Sequence, residues 1–357
     1  MFALLEASVC KRCIATFALM LFSRMRLTGR LTMLSKLPGL LIGTAAAAVF
    51  GAVPLSAANR PAVTQPALDS NIVFQALPLE RSRQNHFLVR AEINGKSAIL
   101  GVDSGAPVSA ISATRAAYFG VGSLPRSSTL PSRLRINGGY NRVTIAHHLR
   151  LGALILVDEP LVSIDLRTPA RAAQEFHEQE LDGILGADIL FPTQAVLNCE
   201  EQLLLMKIDP DAPGTVPGVN HRGWKNIPIR VTQGWNLYVD GKLNGKAAQL
   251  MIDTGAFTTL IHRPFVDEMR LHLRDTPYAS GAVNLKERGL QLAVIRRFAI
   301  GPFLVRGKEV GVMDLRGLIH GDLLKGSPPV AGLLGSEFLR RNHAIIDFGT
   351  RTLYLKL

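Results

Sequence analysis

The chain of 357 residues is long enough for two domains, and its formal net charge is +12, from 40 Lys and Arg against 28 Asp and Glu. Hydrophobic residues make up 47% and charged residues 19%, a balance that excludes an intrinsically disordered chain. The 32 Gly and 20 Pro residues have no period, which excludes collagen-like and low-complexity classes.

The first 58 residues have the pattern of a targeting segment. Residues 37–58 contain no charged residue and end in small residues, as a signal peptide cleaved after Ala58 would. Pro38 and Pro54 disfavour a permanent helix, so we expect a signal peptide. The alternative is an uncleaved membrane anchor over the same residues, which are numerous enough to span a bilayer. Both interpretations export the rest of the chain to the periplasm or cell envelope.

Composition changes along the chain predict five segments. They are a leader (1–58), a polar linker with Pro residues (59–71), an N-terminal lobe (72–212), a Pro/Gly-rich interlobe linker (213–226) and a C-terminal lobe (227–357).

The two lobes carry an internal duplication. Residues 94–106 (NGKSAILGVDSGA) and 244–256 (NGKAAQLMIDTGA) are identical at eight of 13 positions, at an offset of 150. A second pair of blocks, 183–207 and 332–356, follows at an offset of 149. Each of these has a Gly-apolar-Leu-Gly stretch, an amphipathic turn and two apolar strands. Repeated blocks in one order predict two copies of one structural unit.

Each copy consists mainly of strand patterns. Residues 87–93 and 235–243 alternate between apolar and polar, and each run ends at an Asn-Gly dipeptide, which is typical of a tight hairpin turn. Apolar runs over 98–102 and 248–252 complete the two hairpins. Helical periodicity is limited to a turn or two, at residues 112–119, 187–191, 264–269 and 336–341. The pattern therefore predicts an all-β fold with short helices.

An aspartate follows the second strand of each hairpin. Asp103 lies in Val-Asp-Ser-Gly-Ala and Asp253 in Ile-Asp-Thr-Gly-Ala, where a small hydroxyl residue and a Gly predict a tight turn. If the copies pack about a pseudo-twofold axis, each turn faces its counterpart and its hydroxyl can hydrogen-bond across. Two carboxylates about 3 Å apart share one proton and can act as general acid and base. Such a pair hydrolyses an amide without a metal or a cofactor, so we expect neither.

These motifs resemble the aspartic proteases, specifically bacterial relatives of the retroviral type, duplicated in one chain as in pepsin-like enzymes. The resemblance covers nearly all of residues 72–357 and implies two homologous β-barrel lobes related by a pseudo-twofold axis. It implies that Asp103 and Asp253 are the catalytic dyad. The residues implied to support the dyad are Ser104, Gly105, Thr254, Gly255, Gly186 and Gly335. Gly186 and Gly335 are the last residues of two apolar-apolar-Gly signatures. The resemblance implies that they lie in strands beneath the loops that carry Asp103 and Asp253.

The resemblance also implies a β-hairpin flap over the cleft. The candidates are Gly138, Gly139 and Tyr140 in the first copy and Ser280 and Gly281 in the second. Plain surface hairpins would explain these Gly-containing turns as well. A polypeptide substrate is expected to bind as an extended strand between flap and floor.

Three residues depart from the pattern of the pepsin-like enzymes. Pro107 follows the first motif directly, and Ala106 and Ala256 occupy positions where those enzymes often have Ser or Thr. The loss of a hydrogen-bond donor should raise the pKa of the carboxyl pair. We therefore expect a working range less acidic than that of pepsin, and an optimum below about pH 3 would contradict this expectation.

The sequence thus predicts an exported aspartic endopeptidase in which a monomer is sufficient for activity, because each copy provides one acid. A rival is a catalytically silent exported peptide-binding module with the same fold. A third possibility is a homodimer in which lobes of different chains form mixed sites.

Other side chains point to no further chemistry. His147 and His148 are adjacent and would face opposite sides of a strand, so they cannot chelate a metal together. The remaining cysteine outside the leader, Cys199, lies in a strand-like run and is expected to be a buried, unreactive thiol. No nucleic-acid partner is expected. The basic residues predicted to form a solvated face are Arg133, Arg135, Arg142, Arg296 and Arg297.

Overall fold

The computed structural model describes residues 74–124, 128–136, 139–166, 174, 178–209, 222–232, 234–276, 290–316, 319 and 324–357. The predicted leader and first linker lie outside these residues, and so does most of the interlobe linker. The predicted domain boundaries therefore stay predictions. No helix among the described ranges is long and apolar enough to cross a membrane.

The first half of the chain contributes eleven of the described strands. They are β1 (Phe74–Arg81), β2 (Phe87–Ile93), β3 (Lys96–Val102), β4 (Ala110–Ser112), β5 (Gly122–Ser123), β6 (Arg133–Ile136), β7 (Gly139–Leu151), β8 (Leu154–Ile164), β9 (Gly183–Leu185), β10 (Val196–Asn198) and β11 (Leu203–Lys207).

The second half contributes another eleven. They are β12 (Lys225–Pro228), β13 (Arg230–Val231), β14 (Leu237–Leu243), β15 (Lys246–Ile252), β16 (Leu260–His262), β17 (Arg274–Asp275), β18 (Gln291–Ile300), β19 (Phe303–Met313), β20 (Val330–Leu334), β21 (Ile345–Asp347) and β22 (Thr352–Leu355).

Helices are few and short in the described part of the chain. They are α1 (Ala116–Phe119), α2 (Ala187–Leu190), α3 (Arg263–Glu268) and α4 (Ser336–Arg341). Each overlaps one of the four predicted helical segments. The equivalent helices α2 and α4 begin directly after a glycine in each copy, as the duplicated blocks predict.

Each half closes into a six-stranded barrel. In the first, the ring runs β2-β3-β9-β4-β8-β7 and closes through a β2–β7 pairing. In the second, it runs β14-β15-β20-β16-β19-β18 and closes through a β14–β18 pairing. The two rings use equivalent strands in the same order, which confirms the predicted fold class of two homologous β-barrel lobes with short helices.

The hairpins that lead into the barrels turn at the predicted Asn-Gly dipeptides. Asn94 and Gly95 have φ of 49° and 78°, and Asn244 and Gly245 have φ of 52° and 90°. Positive φ at both central residues is the requirement of a type I′ turn, which asparagine and glycine meet at low cost. These turns fix the register of the strands that end at the two aspartates.

A third sheet layer joins the two halves. Its strand order is β12-β22-β21-β10-β11-β1, with three strands from each half. At its centre β10 pairs with β21, and Leu197 lies opposite Ile346. These two residues are separated by the duplication offset of 149, so each faces its own counterpart. A local twofold axis therefore passes through this pair, as an isologous contact requires.

Candidate active site

The two aspartates lie at equivalent strand ends. Asp103 follows β3, and its backbone N–H donates to the carbonyl of Leu185 at the end of the parallel strand β9, at 3.0 Å. Asp253 follows β15, and its N–H donates to Leu334 at the end of β20, also at 3.0 Å. Each acid is thus fixed by the neighbouring strand of its own barrel.

The duplication brings the two carboxyl groups together in the interior. Asp103 is 2% exposed and Asp253 is fully buried. A Cβ added to Gly105 would lie 2.7 Å from Asp253 Oδ1 and 3.2 Å from Asp103 Oδ1. The two Oδ1 atoms are therefore separated by no more than the sum of these distances, 5.9 Å. The negative charge of Asp103 raises the pKa of Asp253, so the pair can hold one proton between its members.

Backbone amides fix one oxygen of each carboxylate. Gly105 N–H donates to Asp103 Oδ1 at 2.8 Å. Asp253 Oδ1 accepts from Gly255 N–H at 2.9 Å and from Ala256 N–H at 3.0 Å. Asp253 Oδ2 is buried and has no amide or hydroxyl donor in the described part of the chain. It is therefore the oxygen of Asp253 that remains to carry or share a proton.

The hydroxyl residues after the acids form reciprocal contacts between the lobes. Thr254 Oγ1 donates to Val102 O at 2.8 Å and accepts from Ser104 N–H at 2.9 Å. Ser104 Oγ donates to Ile252 O at 3.0 Å and accepts from Thr254 N–H at 3.1 Å. Each hydroxyl thus binds the backbone on both sides of the opposite acid, so the two turns are held in a fixed mutual position.

The two signature glycines allow close backbone packing against these turns. A Cβ at Gly186 would lie 2.7 Å from the carbonyl carbon of Val108, and one at Gly335 would lie 2.3 Å from that of Thr258. Both residues lie one position beyond strands β9 and β20, at the start of helices α2 and α4. The expectation that they lie within those strands was wrong, because each glycine, although still extended, donates its N–H to a side-chain hydroxyl instead of to a neighbouring strand.

Burial raises the pKa of both dyad carboxyls. It raises the pKa of Asp103 to about 6, against the opposing effect of hydrogen bonds from Gly105 and from Asp253. The pKa of Asp253 is raised well above its usual range, first by burial and then by the negative charge of Asp103. The direction agrees with the sequence expectation, but its largest cause is desolvation, which the sequence argument did not include.

A hydroxyl–carboxylate pair behind each turn was missed by the sequence reasoning. In the first lobe Ser109 donates its N–H and hydroxyl to Asp188, at 2.8 and 2.6 Å, and Ser109 Oγ accepts from Gly186 N–H at 2.9 Å. In the second lobe Thr259 donates in the same way to Glu337, at 3.0 and 3.1 Å. Extending the 150- and 149-residue offsets to these positions would have revealed the pair in the sequence.

The flap candidates are only partly described. Strands β6 and β7 form a hairpin in which Tyr140 lies opposite Arg135 and Gly139 opposite Ile136, and Tyr140 is 70% exposed. Gly138, Ser280 and Gly281 lie outside the described residues. A hairpin is therefore present at the first candidate position, and its role as a flap stays a prediction.

Cys199 and four of the five basic residues have the exposure expected of them. Cys199 is a buried free thiol whose pKa is raised by desolvation, as predicted. The side chains of Arg133, Arg142, Arg296 and Arg297 are exposed, while that of Arg135 is not described. Within the described ranges, no group of three or more His, Cys, Asp and Glu is arranged to hold a metal ion.

One family model matches part of the second lobe. Residues 239–338 match the family model described as aspartyl protease, and the matched region contains Asp253, Thr254 and Gly335. The match confirms the resemblance inferred from the sequence and supports a protease-type function. No curated protein matches the chain.

One solved structure similar to this chain is the crystal structure of basic 7S globulin from soybean. The two chains are 12% identical with a TM-score of 0.44, over 80% of this chain and 94% of the globulin.

Proposed function

We propose that this protein is an aspartic endopeptidase in which Asp103 and Asp253 activate water to hydrolyse peptide bonds. The observation that carries the proposal is the buried pair of neighbouring carboxyl groups, one from each lobe, whose pKa values are both raised. Burial makes the charged form costly, so one proton is retained between the two groups at mildly acidic pH.

The chemistry needs one ionised and one protonated carboxyl. Asp253 Oδ2 has no amide or hydroxyl donor among the described residues and is the favoured position of the retained proton, so Asp103 acts as the base and removes a proton from a water whose oxygen bonds to the scissile carbonyl carbon. Asp253 donates its proton to the carbonyl oxygen, giving a tetrahedral gem-diol. The proton taken up by Asp103 then passes to the amide nitrogen, and the C–N bond breaks. Loss of a gem-diol proton to Asp253 leaves an acid and an amine and restores the single proton of the pair.

One chain would be sufficient for this reaction. Each lobe supplies one carboxyl, and the lobes of the same chain are joined by the Ser104 and Thr254 contacts and by the central β10–β21 pairing. The substrate would bind as an extended polypeptide strand, whose backbone provides hydrogen-bonding groups at every residue. A homodimer with mixed sites would require these intrachain contacts to be broken.

Cleavage of a peptide library by the full chain tests the proposal. Asp103→Asn and Asp253→Asn should each reduce kcat/KM by about 10²–10⁴-fold, the usual contribution of a general acid or base. Asp240→Asn is the control, because Asp240 is an exposed carboxylate on β14 that pairs with Arg230. Activity in either dyad variant equal to that of the wild type would overturn the proposal.

The rival function, a silent peptide-binding module, gives a different result in the same samples. A binding module would bind a library peptide in fluorescence anisotropy and leave it uncut at every pH between 3 and 8. It would also bind peptide equally well after either Asp→Asn change. An endopeptidase with the raised pKa values of this pair should instead cleave best above about pH 3.

We further propose that the chain is exported, on the basis of the uncharged residues 37–58. Expression of the full chain followed by sequencing of the mature N-terminus should give a start at Asn59. Recovery of an intact leader in the membrane fraction would favour the anchor alternative, and recovery in the cytoplasm would contradict export.

A further inference from the structure

A cavity of about 740 Å³ lies in the second lobe, between helix α3, the end of β16 and the start of β20. Its apolar walls are formed by Phe265, Leu324, Pro329 and Val330. Val330 is the first residue of β20, whereas Leu334 at the other end of that strand accepts the Asp253 N–H. Four residues of extended strand, about 13 Å, therefore separate this cavity from the dyad. Its volume is in the range of roughly 300–1,000 Å³ that is typical of small-molecule sites.

The equivalent position of the first lobe is occupied by an ion pair. Arg115 is the counterpart of Phe265 at the offset of 150, and it lies directly before α1. Its Nε donates to Asp182 Oδ1 at 2.7 Å, and its guanidinium lies 4.4 Å from the ring centre of Tyr118. In the second lobe Ala331 replaces Asp182, at the offset of 149. The second lobe therefore has apolar residues where the first has a charged pair.

A buried histidine contributes a hydrogen-bond donor to the cavity wall. His262 is 7% exposed, and its Nδ1 accepts the N–H of Leu315 at 3.1 Å. Burial lowers the pKa of His262, against the opposing effect of Asp314, so the ring is neutral at pH 7 and carries its proton on Nε2. That nitrogen has no hydrogen-bond partner in the described part of the chain and retains access to solvent. Its N–H is therefore available to a ligand in the cavity.

The charged residues of the cavity leave a surplus of one positive charge. Glu268 pairs with Lys246, and Arg316 Nε donates to Asp314 Oδ2 at 2.7 Å. Lys325 is exposed and makes no ion pair with any described residue. A ligand with one negative charge would therefore balance the charge of the cavity.

We propose that this cavity binds a small monocarboxylate with an apolar body. The carboxylate accepts from the His262 Nε2–H and is attracted by the Lys325 ammonium, while the hydrocarbon part packs against Phe265 and Val330. A carboxylate has two acceptor oxygens and one charge, which match one neutral N–H donor and one cation. The inference does not rest on the proposed function, because the cavity and the dyad lie at opposite ends of β20.

An NMR titration of the ¹⁵N-labelled full chain tests the proposal. Octanoate and acetyl-leucine represent two sources of this chemistry, a free fatty acid and the C-terminus of a peptide, and the tighter binder identifies the source. Ligands of about ten non-hydrogen atoms should bind with a Kd of about 10 mM or tighter. Octanol and acetyl-leucine amide should bind about 10-fold more weakly, because they lack the charge. Equal binding of a carboxylate and its neutral analogue, or no binding of either carboxylate at this concentration, would overturn the proposal.

Two variants test the contacts with the carboxylate. Lys325→Met should weaken octanoate binding by about 3–10-fold. His262→Asn should weaken it by about 10-fold, because asparagine can still accept the Leu315 N–H but does not replace the Nε2–H. The control is Lys242→Met, which removes an exposed lysine on β14 that does not line the cavity and should leave binding unchanged. Equal losses in Lys242→Met and Lys325→Met would indicate a general charge effect and overturn the proposal.

A measurement on the wild type keeps the test decisive if His262→Asn fails to fold. Octanoate should shift the Nε2 ¹⁵N resonance of His262. It should not shift the ring of His147, an exposed histidine on β7 that pairs with Asp158. Equal shifts at the two rings, or none at His262, would overturn the proposal. Because no readout requires peptide cleavage, a failure of the proposed function and a failure of this site would be seen separately.

Discussion

The two lobes share a hydroxyl–carboxylate pair behind each dyad turn but differ in the charge beside it. In the second lobe Glu337 forms an ion pair with Lys308, and both side chains are largely buried, at 12% and 9% exposed. The position equivalent to Lys308, 149 residues earlier on β8, is Glu159. The first lobe therefore places a buried acid next to Asp188, where the second places a base next to Glu337.

The two lobes limit the negative charge at equivalent buried positions by different means. In the second lobe a cation balances the carboxylate. In the first, burial and the nearby Asp188 raise the pKa of Glu159 to about 8, so Glu159 keeps its proton near neutral pH and adds no second negative charge beside Asp188. Burial also raises the pKa of Asp188 to about 6. The hydroxyl contacts are the same in both lobes while the charged residue beside the carboxylate differs, so the support in the first lobe changes its protonation between about pH 6 and 8.

The largest effect is expected from breaking the ion pair of the second lobe. Lys308→Met would leave the Glu337 carboxylate buried without its cation, so the free energy of unfolding should fall by about 3–5 kcal/mol at pH 7. Urea denaturation measures this loss. The double variant Lys308→Met/Glu337→Gln should recover part of it, because no buried charge remains. A loss below about 1 kcal/mol in the single variant would show that the pair does not stabilise the lobe.

A smaller and pH-dependent effect is expected from the first lobe. Because the pKa values of Glu159 and Asp188 are raised by folding, their contribution to stability is complete below about pH 4 and is lost as the pH rises through 6 and 8. Glu159→Gln removes one titrating group and should reduce the loss of unfolding free energy between pH 5 and 8 by about 2–4 kcal/mol.

The control for this prediction is Glu309→Gln, an exposed acid on β19 that pairs with Arg274. It should leave the pH dependence unchanged. A Glu159→Gln variant with the wild-type slope would mean that Glu159 is ionised in the folded protein at pH 7.

The sequence predicted those features that follow from local pattern and repetition. The Asn-Gly turns fix the hairpins that lead to Asp103 and Asp253, and the constant offset identifies the two acids as counterparts. The central β10–β21 pairing could not be predicted in register, because it joins strands far apart in the chain and depends on how two finished barrels pack. The roles of Glu159 and Lys308 depend on that same packing and on burial, which no local pattern contains.

The glycines directly before helices α2 and α4 differ in how closely the neighbouring backbone packs against them. An added methyl group would lie 2.7 Å from the Val108 backbone at Gly186 and 2.3 Å from the Thr258 backbone at Gly335. Gly335→Ala should therefore destabilise the protein more than Gly186→Ala, within the range of about 1–3 kcal/mol typical of overpacking. Thermal unfolding of the two variants measures the difference. A larger loss of stability in Gly186→Ala than in Gly335→Ala would mean that the turn near Thr258 moves more easily than the turn near Val108.

The smallest effect on stability is expected from the hydroxyl contacts between the lobes, where the two halves are most alike. Thr254→Val keeps the side-chain shape but removes the donor to Val102 O and the acceptor for Ser104 N–H, so unfolding free energy should fall by about 1–2 kcal/mol. Thr254→Ser, which copies the first lobe, keeps both hydrogen bonds and should lose less than half as much. Because these bonds fix the mutual position of the two acids, the valine variant should also lower kcat, whereas the serine variant should retain it. Equal stability and equal kcat in the two variants would mean that the packing of the side chain, and not its hydroxyl group, holds the turns together.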